Sequence, residues 1–285
     1  MTMPTTPPPS PHRPLPLALP LPRPALLFCP ANRPDRYQKA VDAADVVVID
    51  LEDAVPPAAK AAAREALVAT PMDPARVIVR LNAIASPEHA ADLEALHSTS
   101  YRRVMLPKTE NAQHLATLAD LSVVALCETP LGILNAPEIA AAPNAIALMW
   151  GAEDLIAAIG GRTSRFPTDG HRYRDVALHA RSTVLLAAAA HGKPAIDSVY
   201  TMIDDLDGLR AEAEDAAACG FALKACIHPR QVPVVRGAFQ PDEAQVRWAR
   251  RVLEAASDGG AKSVDGQMID APLVRQAEAV LASLR

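Results

Sequence analysis

Between Ala25 and His228 the chain repeats one pattern eight times: a short apolar run of β-forming residues, then a stretch rich in Ala and Leu. The runs are Ala25–Pro30, Asp45–Asp50, Arg76–Asn82, Arg102–Lys108, Ser122–Glu128, Ala145–Gly151, Ala195–Tyr200 and Leu223–His228. Several are continuously apolar rather than alternating, as strands buried on both faces should be. The intervening stretches carry helix-start signals. Ser86 stands as an N-cap with Pro87 at the first helical position, Pro34 opens "RPDRYQKAVDA", and "TENAQHLATLA" begins at Thr109 with Glu110 beside the positive helix end. Eight strands with helices between them predict an α/β fold, a (β/α)8 barrel. An open doubly wound sheet is the competitor, but no G-x-G-x-x-G follows the first strand.

A barrel keeps its chemistry at the C-terminal ends of its strands, and polar residues gather there. Asn32 and Arg33 follow the first strand, and Asp50, Glu52 and Asp53 close the second. Arg80 and Asn82 end the third, Lys108 the fourth and Glu128 the fifth. Glu153 and Asp154 follow the sixth, Asp197 lies in the seventh and His228 ends the eighth. The expected organisation is a disordered Pro-rich tail over 1–24, the barrel over 25–240, and a C-terminal helix and lid segment over 241–285. In the last part an amphipathic helix stops at Gly259–Gly260, "VDGQMID" forms a short loop or hairpin, and a final helix starts near Pro272.

Net charge and cysteine use narrow the function classes. A formal charge of -5 argues against broad nucleic-acid binding, which needs a basic face. Cys29, Cys127, Cys219 and Cys226 show no C-x-x-C or finger spacing and read as small buried hydrophobes of a reduced, cytoplasmic protein. No apolar run reaches the length of a membrane span. In the first 24 residues prolines interrupt any signal-peptide core, leaving a polyproline-like tail.

Glu128 in "CETPLG" and Asp154 in "GAEDL" are the sharpest pair, each just after an apolar run and on neighbouring strands. Two hard-oxygen ligands with positions left for water and substrate describe a Mg²⁺ site; a salt-bridged pair at the barrel rim is the alternative. Arg80 ends a buried strand and needs an anion: a substrate carboxylate gripped bidentately, or an internal partner such as Glu52 or Asp53. Asp50 reads as structural and Glu52 as the better site residue. Arg36 and Lys39 share a helix face and either are solvated or, with Arg33, hold coenzyme phosphates. His228 reads as a structural hydrogen-bonder.

The segments "FCPANRPDRYQKA", "DVVVIDLEDAV", "VIVRLN", "VMLPKTE", "CETPLGILNAPEIA", "GAEDL", "IDSVYTMIDDLDGL", "IHPRQ" and "GQMIDAPLVRQA", in this order, resemble the citrate lyase β-subunit-like proteins of the HpcH/HpaI aldolase superfamily, near malyl-CoA and citramalyl-CoA lyases. The resemblance implies a TIM barrel, assembled as a homotrimer, that cleaves a C–C bond in a 3-hydroxyacyl thioester to acetyl-CoA and a keto acid. It implies Glu128 and Asp154 as Mg²⁺ ligands, Arg80 as the substrate-carboxylate binder with Glu52 nearby, and Asn32, Arg33 and Lys39 as acyl-CoA contacts. It further implies Asp270 as an acid/base carried on a lid into a neighbouring subunit. Ala31 and Leu223 stand where relatives commonly have Gly. Alternatives are a citrate lyase β subunit acting on an acyl-carrier-protein thioester, a malate synthase or thioesterase activity on the same site, a non-thioester pyruvate aldolase, and a non-catalytic acyl-CoA-binding protein.

Overall fold

The computed structural model describes residues 18–19, 24–167, 172–257, 263–264 and 266–284. Strands β1 (Ala25–Pro30), β2 (Val46–Asp50), β3 (Val77–Arg80), β4 (Arg103–Leu106), β5 (Ser122–Cys127), β6 (Ala145–Trp150), β7 (Ala195–Asp197) and β8 (Leu223–Cys226) pair in parallel in sequence order, and β8 closes on β1. Around them lie α1 (Tyr37–Ala43), α2 (Lys60–Ala69), α3 (His89–His97), α4 (Ala112–Ala116), α5 (Pro130–Leu134), α6 (Ala136–Ala141), α7 (Ala152–Ala158), α8 (Asp175–Ala190), α9 (Leu206–Cys219) and α10 (Gln231–Ala238). This is the (β/α)8 barrel that the eightfold pattern predicts. The strands are shorter than the apolar runs, so Asn82, Lys108, Glu128 and His228 sit in the loops that follow them.

Alternation along each strand sorts side chains into two cores. Val46, Val48, Ile78, Val124, Leu126, Met149 and Leu223 fill the barrel interior, while Val47, Ile49, Val79, Ala125, Cys127 and Trp150 pack outward beneath the helices. The same alternation puts Asp50, Arg80 and Glu128 on the inward side, at the C-terminal mouth. Leu19 is buried at the opposite end among interior residues such as Leu26 and Ile146, and the Ala18 carbonyl accepts from Arg103 Nε at 3.1 Å. These two residues are therefore fixed against the barrel, whereas a tail free over all of 1–24 was expected; residues 1–17 and 20–23 lie outside the described residues. Burying a leucine side chain contributes about 1.5–3 kcal/mol.

Two expected helix starts move. The turn at Ser86 first closes on itself, with Ser86 N donating to the Ala83 carbonyl and Glu88 N to Ser86 Oγ, so α3 begins only at His89. Asn111, not Thr109, caps α4 by accepting from His114 N at 3.0 Å. Thr109 instead donates to the Leu106 carbonyl and is buried.

Asp197 also departs from its expected place at the mouth. It points outward, where Lys224 Nζ (2.9 Å), Arg181 Nε (2.9 Å) and Trp150 Nε1 (2.8 Å) donate to it, and Lys224 reaches on to Glu212 at 2.9 Å. Asp197 and Lys224 are fully buried, so this network braces β7 and β8 against α8 and α9. Two buried charges side by side are tolerated because each is paired and hydrogen-bonded.

Beyond the barrel, α11 (Glu243–Ser257) and α12 (Ala271–Ala282) pack chiefly on each other around Ala249, Val252 and Ala277. A two-stranded hairpin, β9 (Ser263–Val264) and β10 (Gln267–Met268), joins them. The expected helix stop at Gly259–Gly260 lies outside the described residues.

Asp197→Ala leaves Lys224 and Arg181 without their shared buried counter-charge. A loss of about 3–5 kcal/mol in chemical denaturation is expected; a loss under about 1 kcal/mol, the range of exposed pairs, would show that the network carries little.

Candidate active site

The turn after β2 is assembled first, because its carboxylates depend on it. Asp50 is fully buried and accepts four hydrogen bonds: Arg80 Nε (2.7 Å) and Nη2 (2.6 Å), Glu52 N (2.9 Å) and Ala54 N (3.1 Å). Asp50 and Arg80 are register partners on β2 and β3, so a bidentate pair forms with little reach. From behind, Lys60 Nζ donates to the carbonyls of Leu51 (2.6 Å) and Glu52 (2.7 Å) and to Asn82 Oδ1 (2.8 Å). Asn82 is itself held by Asp92 and Asp92 by Arg64. The Pro pair before Lys60 opens a short 3-10 turn that aims α2, and so the lysine, back at the loop.

Glu52 is presented inward by this turn. Its Oε1 accepts from Lys108 Nζ at 2.7 Å, and its Oε2 lies 3.1 Å from Arg80 Nη1 but, though buried, accepts no hydrogen bond. Burial raises the Glu52 carboxyl, against the pull of Arg80 and Lys108. The guanidinium of Arg80 also covers the Phe28 ring, 4.9 Å from its centroid. The internal partner of Arg80 is thus mainly Asp50, with Glu52 second and Asp53 at 3.8 Å third.

Glu128 follows β5 beside Gly151, which follows β6. A Cβ at position 151 would stand 2.7 Å from Glu128 Oε2 and 2.8 Å from its Cβ, so only glycine lets this carboxylate lie across the neighbouring strand. The next residues lock the turn: Thr129 caps α5 by accepting from Gly132 N at 3.0 Å, with Pro130 at the first helical position. Lys108 N donates to Glu128 Oε1 at 3.1 Å. Burial pushes the Glu128 carboxyl up to about 8, with Asp154 and Glu52 adding to the effect and Lys108 and Arg80 opposing it. Asp154, on the first turn of α7, is partly exposed and 3.4 Å from Lys108 Nζ.

The mouth therefore joins Glu52, Arg80, Glu128 and Asp154 around Lys108. A cleft of about 410 Å³ opens beside them, lined by Glu52, Asp53, Lys60, Asn82, Ser86 and Lys108. The donor set fits Mg²⁺, a hard cation usually held by one or two carboxylates with water and substrate oxygens completing its shell. Among the described residues no group of three or more His, Cys, Asp or Glu side chains forms a metal cage.

A sequence profile of the HpcH/HpaI aldolase/citrate lyase family matches residues 24–229. The chain belongs to this family. It is 54% identical over 259 residues to a citrate lyase subunit beta-like protein of Mycobacterium tuberculosis, covering 90% of this chain and 94% of that protein. It is 34% identical to a (3S)-malyl-CoA thioesterase of Cereibacter sphaeroides, covering 86% and 89%. Among solved structures, M. tuberculosis CitE in complex with magnesium, acetoacetate and coenzyme A superposes with a TM-score of 0.90 at 52% identity, covering 92% of this chain and 98% of that one. A citrate lyase beta subunit from the same organism, complexed with oxaloacetate and magnesium, has a TM-score of 0.76 at 54% identity, covering 78% and 98%.

Other expected residues stand apart from this cluster. Arg33, half-buried, spends its fork on the exposed Asp35 at 2.9 and 2.8 Å. Lys39 is exposed on α1, and Asn32 Oδ1 is buried without a hydrogen-bond donor. Asp270 is exposed at the N-cap of α12, and its hydrogen bonds, from Leu273 N and Val274 N, stay within that turn. His228 shapes its own turn, with Nδ1 accepting from Arg230 N at 3.2 Å. Lys60 and Gly151 were not singled out from sequence. A lysine opening a helix reads as solvated, and "WGAED" reads as an ordinary strand-to-helix junction.

Between about 4.5, the ordinary glutamate value, and about 8 the folded chain holds a proton on Glu128 that the unfolded chain releases. The stabilising contribution of this group is therefore full below that window and lost as pH rises through it. Urea midpoints in EDTA should fall from pH 5.5 to 8 more steeply in the wild type than in Glu128→Gln; parallel profiles would contradict the raised carboxyl.

Proposed function

We propose that this protein is a Mg²⁺-dependent carbon–carbon lyase that cleaves a 3-hydroxyacyl thioester of the citramalyl-CoA, malyl-CoA or citryl type. The products are acetyl-CoA and a keto acid such as pyruvate, glyoxylate or oxaloacetate. The observation that carries the reading is the buried Glu128 carboxyl beside Asp154, at a barrel mouth that also presents Arg80. When bound at Glu128 and Asp154, Mg²⁺ supplies Lewis-acid polarisation of the substrate's hydroxyl and carboxylate oxygens.

The chain's own groups carry the proton traffic and orientation. Arg80, its Nε and Nη2 fixed by Asp50, turns Nη1 toward the Glu52 side and there grips the carboxylate of the departing keto acid. Glu52 Oε2, buried with no hydrogen-bond donor, accepts the proton of the substrate hydroxyl. As that O–H electron pair becomes the keto C=O, the C–C bond breaks and its electrons pass into the thioester enolate. The enolate carbon then takes a proton from the Asp270 carboxyl, which is exposed and regains one from solvent while Glu52 releases its own, and acetyl-CoA leaves.

Asp270 sits on a C-terminal unit that packs chiefly on itself, and we infer that it acts at the mouth of a neighbouring copy in a homotrimer. Asn32, Arg33 and Lys39, on the loop and helix after β1, are the proposed contacts of the coenzyme. A second reading, hydrolysis of the thioester at the same site, is favoured by the similarity to the (3S)-malyl-CoA thioesterase of Cereibacter sphaeroides. All four cysteines are free, which supports a cytoplasmic location; separately, no helix among the described residues is long and apolar enough to cross a membrane.

Purified protein offered citramalyl-CoA, malyl-CoA and citryl-CoA should release acetyl-CoA from one of them with Mg²⁺ and not with EDTA; release of free acid and CoA instead would favour hydrolysis. Glu128→Gln and Asp154→Asn should lose turnover while staying folded, and Asp270→Ala should lower kcat by ~100-fold or more. Mixed oligomers of Glu128→Gln and Asp270→Ala subunits should regain activity. Full activity in either metal-pair variant would reject the reading.

A further inference from the structure

Lys108 combines two features that no role so far explains. It has φ of 50°, the only non-glycine positive φ among the described residues. Such a conformation costs a side-chain-bearing residue energy, and it persists where surrounding structure over-determines it. Here both ends of the residue are engaged: its N–H donates to Glu128 Oε1 at 3.1 Å, and its ammonium lies 2.7 Å from Glu52, 3.4 Å from Asp154 and 4.0 Å from Glu128. Its side chain is about one-third exposed. No other cation lies this close to both members of the metal pair among the ion pairs of the described residues; those of Arg80 run to Asp50, Glu52 and Asp53.

Counting charge shows the consequence. Arg80 balances Asp50, so in the metal-loaded site, with Glu128 ionised, Glu52, Glu128 and Asp154 bring three negative charges to the mouth. A divalent cation alone leaves this group at minus one, which repels an anionic keto acid; the same cation together with the Lys108 ammonium brings it to zero. We propose that Lys108 is a charge-setting residue of this site, weakening the binding of the divalent cation so that the loaded site accepts an anionic substrate. The inference rests on the metal reading of Glu128 and Asp154. It concerns a residue that this reading leaves unassigned.

Coulomb attraction and repulsion here act over 3–4 Å in a partly dry site, where one unit charge changes affinity by ~10-fold or more. Removing the ammonium should therefore move two affinities in opposite directions, which a merely structural lysine would not do. The strained backbone is tested separately, because glycine adopts φ of 50° freely.

The experiment titrates Mn²⁺ into wild type, Lys108→Met, Lys108→Gly and Lys108→Arg by electron paramagnetic resonance, then oxaloacetate into each Mn²⁺-loaded protein by calorimetry. Lys108→Met and Lys108→Gly should each bind Mn²⁺ ~10-fold more tightly and oxaloacetate ~10-fold more weakly than wild type, and Lys108→Arg should restore both. Lys108→Gly keeps the loop readable if Lys108→Met does not fold. Affinities unchanged within twofold, or both shifting in one direction, would overturn the proposal. A wild type that binds Mn²⁺ no better than Glu128→Gln would instead bring down the metal reading beneath it.

Discussion

The C-terminal mouth of this barrel gathers Asp50, Glu52, Glu128 and Asp154 in a space that is largely sheltered from water, and the neighbouring structure follows from how that charge is held. Two unit charges 4 Å apart interact by about 4 kcal/mol at an effective dielectric of 20, so the carboxylates cannot be left to repel. Asp50 is settled completely, by Arg80 and two backbone N–H groups. Glu52 is settled partly, by Lys108 and Arg80. Glu128 is the remainder: it receives one N–H and sits 4.0 Å from an ammonium, and its carboxyl is raised to about 8. A carboxyl so placed gains most from a divalent cation, and the same gain makes it useful for chemistry.

The supporting shell is as specific as the carboxylates. Lys60 pins the turn that carries Glu52 by bonding two of its carbonyls, and Gly151 gives Glu128 the room that any side chain would fill. Opposite the mouth, Leu19 closes the floor of the barrel. On the flank, the Asp197–Lys224–Arg181 network fixes β7 and β8 from outside. Each of these lies away from the reacting atoms, yet each limits how far a site residue can move, and a site must be held to within about half an ångström to work.

Much of this was legible in the sequence, for a physical reason. Continuous apolar runs announce strands buried on both faces, and the eightfold alternation with helix signals leaves few folds open. The strand-end rule found Glu52, Arg80, Glu128 and Asp154 because barrel topology brings strand ends together whatever their separation along the chain. The rule failed at Asp197, since alternation decides which way a strand residue points, and β7 turns it outward to Lys224. It named Lys108 without a role, because neither its backbone conformation nor its reach toward three carboxylates is written in local pattern. Asp270 was named by resemblance alone, and it stands exposed at the N-cap of a helix in a unit that packs chiefly on itself.

The central claim is that Glu128 holds a proton which a divalent cation displaces. The most direct measurement is the number of protons released per Mg²⁺ bound at pH 7, by calorimetry in buffers of different ionisation enthalpy. Release near one proton in the wild type, fading by about two pH units higher and absent in Glu128→Gln, is the expected result. Binding of Mg²⁺ at pH 7 with no proton release would contradict the account.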